Sequence, residues 1–233
     1  MTQYLLYYWD VPFRGIFPQL FLEEIGVNYQ WHDASEIYPE KSLKIHNPGM
    51  APPYLFDVKS EKYLAQMPAI MMHLAREHDY LPKRTETLDL ALKTILDCND
   101  VLMEVTNYYG QQMWNKKDWM EFRSDRLVKW MRIFEQTGLD HGLKSEKGFL
   151  LGSKISVADI ATTALFGTLV HSFPELKTDL GKNAPHISRL CEKIEERTTL
   201  KKFLAKQREK LGRTYCGGEI EKSLRNVLES RSP

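Results

Sequence analysis

Two short motifs place backbone groups and a helix start where a small anionic ligand could bind. The first is the pair Pro52 and Pro53, directly before an apolar segment with the pattern of a strand. Neither proline can donate a backbone hydrogen bond, so the pair predicts a sheet edge, a bulge or a cis peptide bond. The second is Gln66, followed by Met67 and by Pro68 in the first turn of a predicted helix. A loop with free backbone groups beside a helix N-terminus is suited to anion binding.

The three cysteines indicate neither metal binding nor a thiol nucleophile. Cys98, Cys191 and Cys216 are odd in number and widely spaced, which fits neither a disulfide framework nor a zinc site. Reduced thiols in a cytoplasmic protein are therefore expected, and no metal is predicted. Cys98 falls in a helical pattern and is expected in the core. Cys216 is expected to be exposed, with no base nearby to activate it.

The composition is that of a soluble globular protein. The chain has 233 residues, of which 42% are hydrophobic and 27% charged, enough for one large or two smaller cores. Because 32 basic residues balance 31 acidic ones, for a net charge of +1, neither nucleic acid nor a membrane surface is expected as a partner. The apolar runs are too short to span a bilayer, and the first residues lack a signal-peptide pattern.

The first 80 residues alternate between strand and helix patterns. Short apolar or alternating runs predict strands, and helical spacing ended by Gly26 predicts the first helix. The order is strand, helix, strand, two hairpin strands and a closing helix, over residues 4–9, 17–25, 27–32, 53–57, 62–64 and 67–77. This order is that of a thioredoxin-like α/β domain.

Residues 79–83 have the composition of a linker, and nearly all that follows has helical periodicity. Two long helices are predicted from the apolar stripes Leu88, Leu92, Ile95, Asn99, Leu102 and Val105, and Trp119, Phe122, Leu127, Trp130 and Phe134. Ser156 and Asp159 form a capping box before a central apolar helix. We therefore predict a thioredoxin-like domain over 1–80, an all-α domain over 86–211 and an extension over 212–233. That extension either covers a pocket or is a simple surface helix.

Taken in order, four of these segments resemble the cytosolic glutathione transferase family over nearly the whole chain. They match the family's first strand and catalytic loop, the approach to its cis-proline, its Gln-Ser-x-Ala-Ile helix start and the capping box of its helical domain. The matching segments are Tyr4 to Arg14, Ser42-Leu43-Lys44, Gln66 to Ile70 and Ser156 to Asp159. The resemblance implies the glutathione transferase fold, with glutathione as co-substrate.

The resemblance also implies that a tyrosine at the end of the first strand activates glutathione. Its hydroxyl would donate to the thiolate and lower the thiol pKa. Because side chains alternate along a strand, only one of Tyr7 and Tyr8 can face the site. Tyr8 is favoured because Trp9 follows it and it lies six residues before Arg14. Arg14 would lie under the loop and orient the tyrosine or the glutathione.

Glutathione-binding residues are implied in the same way. Lys44 would pair with the glycine carboxylate, and the backbone of Pro52 with the cysteine part. Gln66 and the amide of Met67 would hold the γ-glutamyl end at the helix N-terminus. Asp100 would either reach across a dimer interface to the glutathione amino group or remain a solvated carboxylate.

Two positions depart from the family pattern. Pro53 is the expected cis residue. The residue before it normally offers its amide to glutathione, but Pro52 has no amide hydrogen. If Pro52 were the cis residue, Ala51 would offer that amide. Met67 replaces the usual serine or threonine, so a hydroxyl contact is lost. These departures predict weaker or altered glutathione binding.

An electrophile pocket is expected between the two domains, because Met and aromatic side chains suit varied apolar ligands. Its expected residues are Trp9, Val11, Phe13, Met103, Asn107, Tyr108 and Met113. The leading hypothesis is a cytoplasmic, homodimeric detoxification enzyme that conjugates glutathione to small apolar electrophiles. The alternatives are a non-catalytic binding or scaffolding protein, and another glutathione enzyme on the same fold, an isomerase or a peroxide reductase.

Overall fold

A computed structural model describes residues 1–145 and 147–229. The N-terminal part is a mixed sheet with strand order β2-β1-β3-β4, formed by β1 (Tyr4–Tyr8), β2 (Tyr29–Asp33), β3 (Tyr54–Asp57) and β4 (Lys62–Ala65). β1 runs parallel to β2 and antiparallel to β3, and β3 and β4 form the predicted hairpin. The helices α1 (Ile16–Ile25) and α2 (Met67–Glu77) complete the predicted thioredoxin-like order.

Side chains of β1 alternate between two environments. Tyr4, Leu6 and Tyr8 belong to the main core, which also contains buried residues of α1 and α2. Tyr7 points to the other face, where it packs in a small cluster with Tyr54. The period-two geometry of a strand therefore brings Tyr8, and not Tyr7, to the side of the sheet covered by helices.

Helices make up the remainder of the chain. In order they are α3 (Thr85–Val105), the short turn α4 (Asn107–Gly110), α5 (Lys116–Ser124), α6 (Arg126–Asp140), α7 (Val157–Ser172), α8 (Lys177–Asn183), α9 (Pro185–Glu195), α10 (Thr198–Leu211) and α11 (Gly218–Glu229). α7 is buried on nearly all sides, as its apolar sequence predicts, and the predicted capping box of Ser156 and Asp159 begins it. The fold is thus a thioredoxin-like α/β part followed by an all-helical part.

Three sequence predictions need correction. The second long helix is two helices, because Asp125 has φ −112° and ψ −74° and separates α5 from α6. On α3, Leu92 is 40% exposed and lies outside the buried stripe, whereas Ile95, Leu102 and Val105 are buried as predicted. The buried residues of α3 include several small ones, which allow α7 to pack closely: Thr87, Ala91, Thr94, Ile95, Cys98, Val101, Leu102 and Val105. β1 ends at Tyr8, one residue earlier than predicted.

A buried carboxylate connects the two parts of the chain. Glu24 on α1 accepts hydrogen bonds from Arg197 Nε at 2.8 Å and from the Tyr80 hydroxyl at 2.9 Å. The predicted linker is also fixed, because the backbone N–H of Val157 donates to the Tyr80 carbonyl at 3.0 Å. These contacts join α1 and segment 79–83 to the helical part of the chain.

The predicted extension is a loop followed by α11, but its last four residues, 230–233, lie outside the described residues. Among the helices of residues 1–145 and 147–229, none has the combination of length and apolarity needed to cross a membrane.

Candidate active site

A cavity of about 620 Å³ opens at the end of β1, between the sheet and the helices. This volume lies within the range of small-molecule sites. Loop 9–15, segment 50–53 and the start of α2 form one wall, and α3, the turn after it and the extension form the other. The lining residues are Tyr8, Trp9, Phe13, Arg14, Tyr38, Met50, Ala51, Pro52, Pro53, Gln66, Met67, Asn99, Thr106, Tyr109, Cys216 and Ile220.

Tyr8 lines this cavity with only 2% of its surface exposed. The backbone N–H of Arg14 donates to its hydroxyl oxygen at 3.2 Å. Burial raises the pKa of Tyr8 well above its ordinary value, although the charge of Arg14 opposes the shift. The phenol is therefore protonated at neutral pH. Because no acceptor for its proton is found among the described residues, the hydroxyl can donate to a group in the cavity.

The position of the Tyr8 ring depends on Gly15. A Cβ atom placed on Gly15 would lie 2.3 Å from Cδ1 of Tyr8, closer than any stable contact allows. No side chain fits at this position without moving the ring. Gly15 is not among the residues predicted for the site. The signal for it in the sequence is that it directly follows Arg14, which is predicted to lie under the loop.

The Arg14 guanidinium lies between two aromatic rings, with its Cζ 4.7 Å from the centre of Phe13 and 5.3 Å from that of Tyr109. Its Nε donates to Oδ1 of Asn99 at 3.3 Å. Its Nη2 is buried and has no hydrogen-bond partner within the described part of the chain. A buried donor left unpaired is costly, so this nitrogen is well suited to an acceptor on a ligand. Asn99 was detectable only as a polar residue inside an apolar stripe.

Tyr7, the rival of Tyr8, lies outside the cavity. Its ring centre is 4.9 Å from that of His32 and 6.1 Å from that of Tyr63, on the opposite face of the sheet. Only Tyr8 of the two is therefore positioned beside Arg14.

The proline pair and the start of α2 form the polar corner of the cavity. The peptide bond between Pro52 and Pro53 is cis, as predicted for Pro53. Gln66 has φ 71° and precedes α2 as its N-cap residue, with no side-chain cap bond. Because the first amides of a helix lack partners within the helix, this corner suits an anionic group.

The turn after α3 is left-handed. Residues 107 to 110 all have positive φ values, of 45°, 54°, 63° and 73°, although only the last is glycine. The helix therefore does not continue, and Tyr109 rather than Tyr108 is brought over Arg14. Strained backbone of this kind is often found at functional sites. No local sequence signal predicts it.

The extension closes the far side of the cavity through Cys216 and Ile220. Burial, together with the nearby carboxylate of Glu221, raises the pKa of the Cys216 thiol to about 12. The thiol is thus protonated at neutral pH and is a poor nucleophile. Through these two residues the extension contributes to the lining of the cavity.

Comparison with known proteins gives the family. A protein-family model described as "Glutathione S-transferase, C-terminal domain" matches residues 90–227, more than half of the chain.

The chain belongs to the glutathione S-transferase family.

Solved structures of glutathione S-transferases share the fold at low sequence identity. The Pi-class glutathione S-transferase of Onchocerca volvulus is 18% identical over 94% of this chain and 99% of its own, with a TM-score of 0.75. The monomeric Na-GST-3 of Necator americanus is 18% identical over 88% and 97%, with a TM-score of 0.70. A Pseudomonas fluorescens pf-5 family member with two glutathione molecules bound is 17% identical over 87% and 92%, with a TM-score of 0.68. A search of curated proteins found no match.

Some residues expected from the glutathione transferase pattern lie away from this cavity. Lys44 and Asp100 are exposed and do not line it in the single chain. Trp9 and Phe13 do line it. The other expected pocket residues lie outside the lining: Val11, Met103, Asn107, Tyr108 and Met113. The lining contains instead Thr106 and Tyr109 from the turn after α3, Cys216 and Ile220 from the extension, and Met50 from segment 50–53.

Proposed function

We propose that the protein is an active glutathione S-transferase that joins the glutathione thiolate to small apolar electrophiles. The observation that carries this proposal is the hydroxyl of Tyr8, which accepts the Arg14 N–H at 3.2 Å and keeps its own proton for an acceptor in the cavity. A thiolate at that acceptor position would be stabilised relative to the thiol, and each unit of thiol pKa is worth about 1.4 kcal/mol.

In the proposed reaction the glutathione thiol gives its proton to solvent, and Tyr8 donates its hydroxyl hydrogen to the sulfur without losing it. The sulfur lone pair then forms a bond to an electrophilic carbon, and the leaving group departs with the electrons of its own bond. The Arg14 guanidinium offers its unpaired Nη2 to an acceptor on either substrate. Trp9, Phe13 and Ile220 exclude water from the apolar part of the cavity.

Each part of the chain has a role in this proposal. Residues 1–80 bind glutathione, with Gln66, the Met67 amide and the Pro52 carbonyl at the polar corner, and Lys44 reaches the glycine carboxylate from outside the cavity lining. Helix α3 and the turn after it supply the opposite wall, and Cys216 and Ile220 of the extension close it. The proposed role is detoxification in the cytoplasm, a reducing compartment in which the three cysteines would stay free thiols.

A homodimer is part of the same proposal. The exposed apolar side chains Leu92 and Leu96 lie on the outer face of α3, at 40% and 45% exposure. Asp100 is on the same helix, and its pKa is raised by partial burial and by the carboxylates of Asp97 and Glu104. An acidic edge of this kind attracts an ammonium group, and in this proposal Asp100 binds the amino group of glutathione held by a second copy.

Turnover of glutathione with a generic aromatic halide, measured across pH, tests the proposal. Tyr8→Phe should lower kcat/KM at neutral pH by about tenfold or more and raise the apparent thiol pKa by about one unit or more. Tyr7→Phe tests the rival residue. Full activity in Tyr8→Phe together with a loss in Tyr7→Phe would reverse the assignment.

A non-catalytic glutathione-binding protein is the second candidate, and it is favoured by two residues at the polar corner. Pro52 has no amide to donate, and Met67 has no hydroxyl, so two contacts that would hold glutathione are missing. Each is worth about 0.5–1.5 kcal/mol. Calorimetry that shows binding without turnover would favour this candidate. Parallel assays of isomerase and peroxide reductase activity test the remaining uses of the same thiolate.

A further inference from the structure

One carboxylate outside the cavity organises the extension. Glu221, on α11, is only 7% exposed. Its Oε2 accepts three consecutive backbone N–H groups, from Tyr215 at 3.0 Å, Cys216 at 2.9 Å and Gly217 at 2.6 Å. Its Oε1 accepts Nε of Arg225 at 3.0 Å. Burial acts to raise the pKa of Glu221, but these bonds together hold it below its ordinary value, so the carboxylate is charged at neutral pH.

The turn that Glu221 holds is bonded directly to loop 9–15. The carbonyl oxygen of Tyr215 accepts the backbone N–H of Phe13 at 3.1 Å. The rings of the same two residues pack edge to face with centres 5.4 Å apart. The next amide along the chain is that of Arg14, which donates to the Tyr8 hydroxyl. Three hydrogen bonds joined by short stretches of backbone therefore connect Glu221 to Tyr8: Tyr215 to Glu221, Phe13 to Tyr215, and Arg14 to Tyr8.

Phe13 adopts a backbone conformation that needs such support. Its φ is +22°, a region that residues other than glycine rarely occupy. Strained conformations persist only where surrounding contacts enforce them. On this loop, the backbone bond and the ring contact from Tyr215 are contacts of that kind. If they were lost, Phe13 would relax toward negative φ and carry the Arg14 amide away from Tyr8.

We propose that Glu221 is a positioning residue for the catalytic loop: its carboxylate fixes the 215–217 turn, the turn holds Phe13, and Phe13 places the Arg14 amide on the Tyr8 hydroxyl. The catalytic part of this inference rests on the proposed role of Tyr8. The extension is then both a wall of the cavity and a support for the loop that activates the thiol. No residue of α11 needs to touch glutathione for this effect.

The test compares Glu221→Gln with Glu219→Gln in the full chain. Both residues are on α11, but Glu219 is exposed and, among the described residues, pairs only with Lys222, at 2.6 Å. Gln at 221 keeps one oxygen but loses the charge and the acceptor for Arg225. Hydrogen–deuterium exchange of the Phe13 and Arg14 amides reports loop position without any ligand. The pH profile of turnover and the thiolate absorbance of bound glutathione report the consequence for Tyr8.

We expect Glu221→Gln to speed exchange at Phe13 and Arg14 by about tenfold, to raise the pKa of the bound thiol by about one unit and to lower kcat/KM about tenfold at neutral pH. Glu219→Gln should leave all three unchanged. A Glu221→Gln protein that is less heat-stable but has wild-type exchange at Phe13 and a wild-type pH profile would overturn the proposal, because only a structural role would remain.

Two further arms keep the experiment decisive. If Glu221→Gln does not fold, Arg225→Met replaces it, because this substitution removes one partner of the carboxylate and keeps the three amide bonds. It should change the exchange rates and the thiol pKa in the same direction, by a smaller factor. Unchanged exchange rates and an unchanged thiol pKa would overturn the proposal. If the wild-type protein neither binds nor turns over glutathione, the proposed function fails. The exchange comparison then still decides whether Glu221 holds the loop.

Discussion

The chemistry of this site depends on how closely one backbone approaches a single ring. Gly15 begins the turn into α1 and lies against Tyr8, where a Cβ would be 2.3 Å from Cδ1. Tyr8 therefore keeps its hydroxyl over the Arg14 amide only while position 15 has no side chain. The requirement concerns space, because Gly15 has an ordinary helical φ of −68°.

Gly15→Ala tests this requirement. We expect a loss of about 1–3 kcal/mol in the free energy of unfolding from overpacking, and a fall in kcat/KM as the ring is displaced. Gly181→Ala is the matched control, because Gly181 is also helical and has nothing within 4 Å of its added Cβ. It should be neutral or stabilising by up to about 1 kcal/mol. Equal effects of the two substitutions, in chemical denaturation and in turnover, would contradict the steric argument.

Asp159 is a residue whose charge is costly in the folded state. It is fully buried and accepts backbone N–H groups from Leu150 at 2.7 Å and Ser156 at 2.8 Å. Burial outweighs these bonds and raises its pKa from 3.8 to about 6. The folded state therefore binds this proton more tightly than the unfolded state. The contribution of the protonated Asp159 carboxyl to the free energy of unfolding is complete below pH 4 and is lost as the pH rises through 6.

The free energy of unfolding of the wild type, relative to that of Asp159→Asn, should therefore fall by about 2–3 kcal/mol between pH 4 and pH 7. Asn cannot ionise at this position, so the difference between the two proteins isolates the carboxyl group from other titrating residues. Urea denaturation at several pH values measures it. Parallel pH curves for the two proteins would show that the folded state accepts the charge at no cost.

At the scale of elements, the strand-rich half could be predicted closely. β3, β4 and α2 begin or end within two residues of their predicted bounds, because hydrophobic alternation, the proline pair and Gln66 with Pro68 are local signals. Alternation predicted that only one of Tyr7 and Tyr8 faces the site, and the choice of Tyr8 came from Trp9 and the spacing to Arg14 in the family pattern.

The breaks between helices in the second half, and half of the cavity wall, could not be predicted in this way. The break at Asp125 carries neither glycine nor proline, and the left-handed turn at 107–110 has three residues that usually avoid positive φ. Both are imposed by tertiary packing. Cys216 and Ile220 lie at the cavity because the extension is held there by the hydrogen bond from the Phe13 N–H to the Tyr215 carbonyl. These two residues are more than 200 positions apart, so no local pattern predicts the contact.

α11 supplies an apolar wall to the cavity, and Ile220 is its contribution. The side chain lines the cavity beside the left-handed turn, where it packs over Gly110. Ile220→Ala should raise KM for a bulky apolar electrophile by about threefold to tenfold and leave KM for glutathione unchanged. Asn226→Ala, on an exposed position of the same helix, is the control. A rise in both KM values would indicate that the substitution moves the whole extension.

At the scale of the whole molecule, the outer face of α3 is the surface through which we propose that two copies of the chain associate. Leu92 and Leu96 expose apolar surface one turn apart, next to Asp100. Exposed apolar surface beside charged residues is typical of an interaction surface. In the proposed dimer this face is covered by a second copy, and Asp100 completes the glutathione site of that copy.

The double substitution Leu92→Glu with Leu96→Glu places two like charges in that interface and should give a monomer at micromolar concentration by light scattering. Ile133→Glu on α6 is the matched control, because Ile133 is similarly exposed, at 41%, on a different face.

If Asp100 acts across the interface, the monomeric variant should also bind glutathione more weakly by calorimetry. The thiol pKa should be unchanged, because Tyr8 belongs to the same chain as the glutathione it activates. A wild-type protein that is itself monomeric, as the Necator americanus relative is, would contradict the dimer and leave Asp100 as a solvated carboxylate. A dimer that survives the double substitution would place the interface elsewhere and remove α3 from the proposed site.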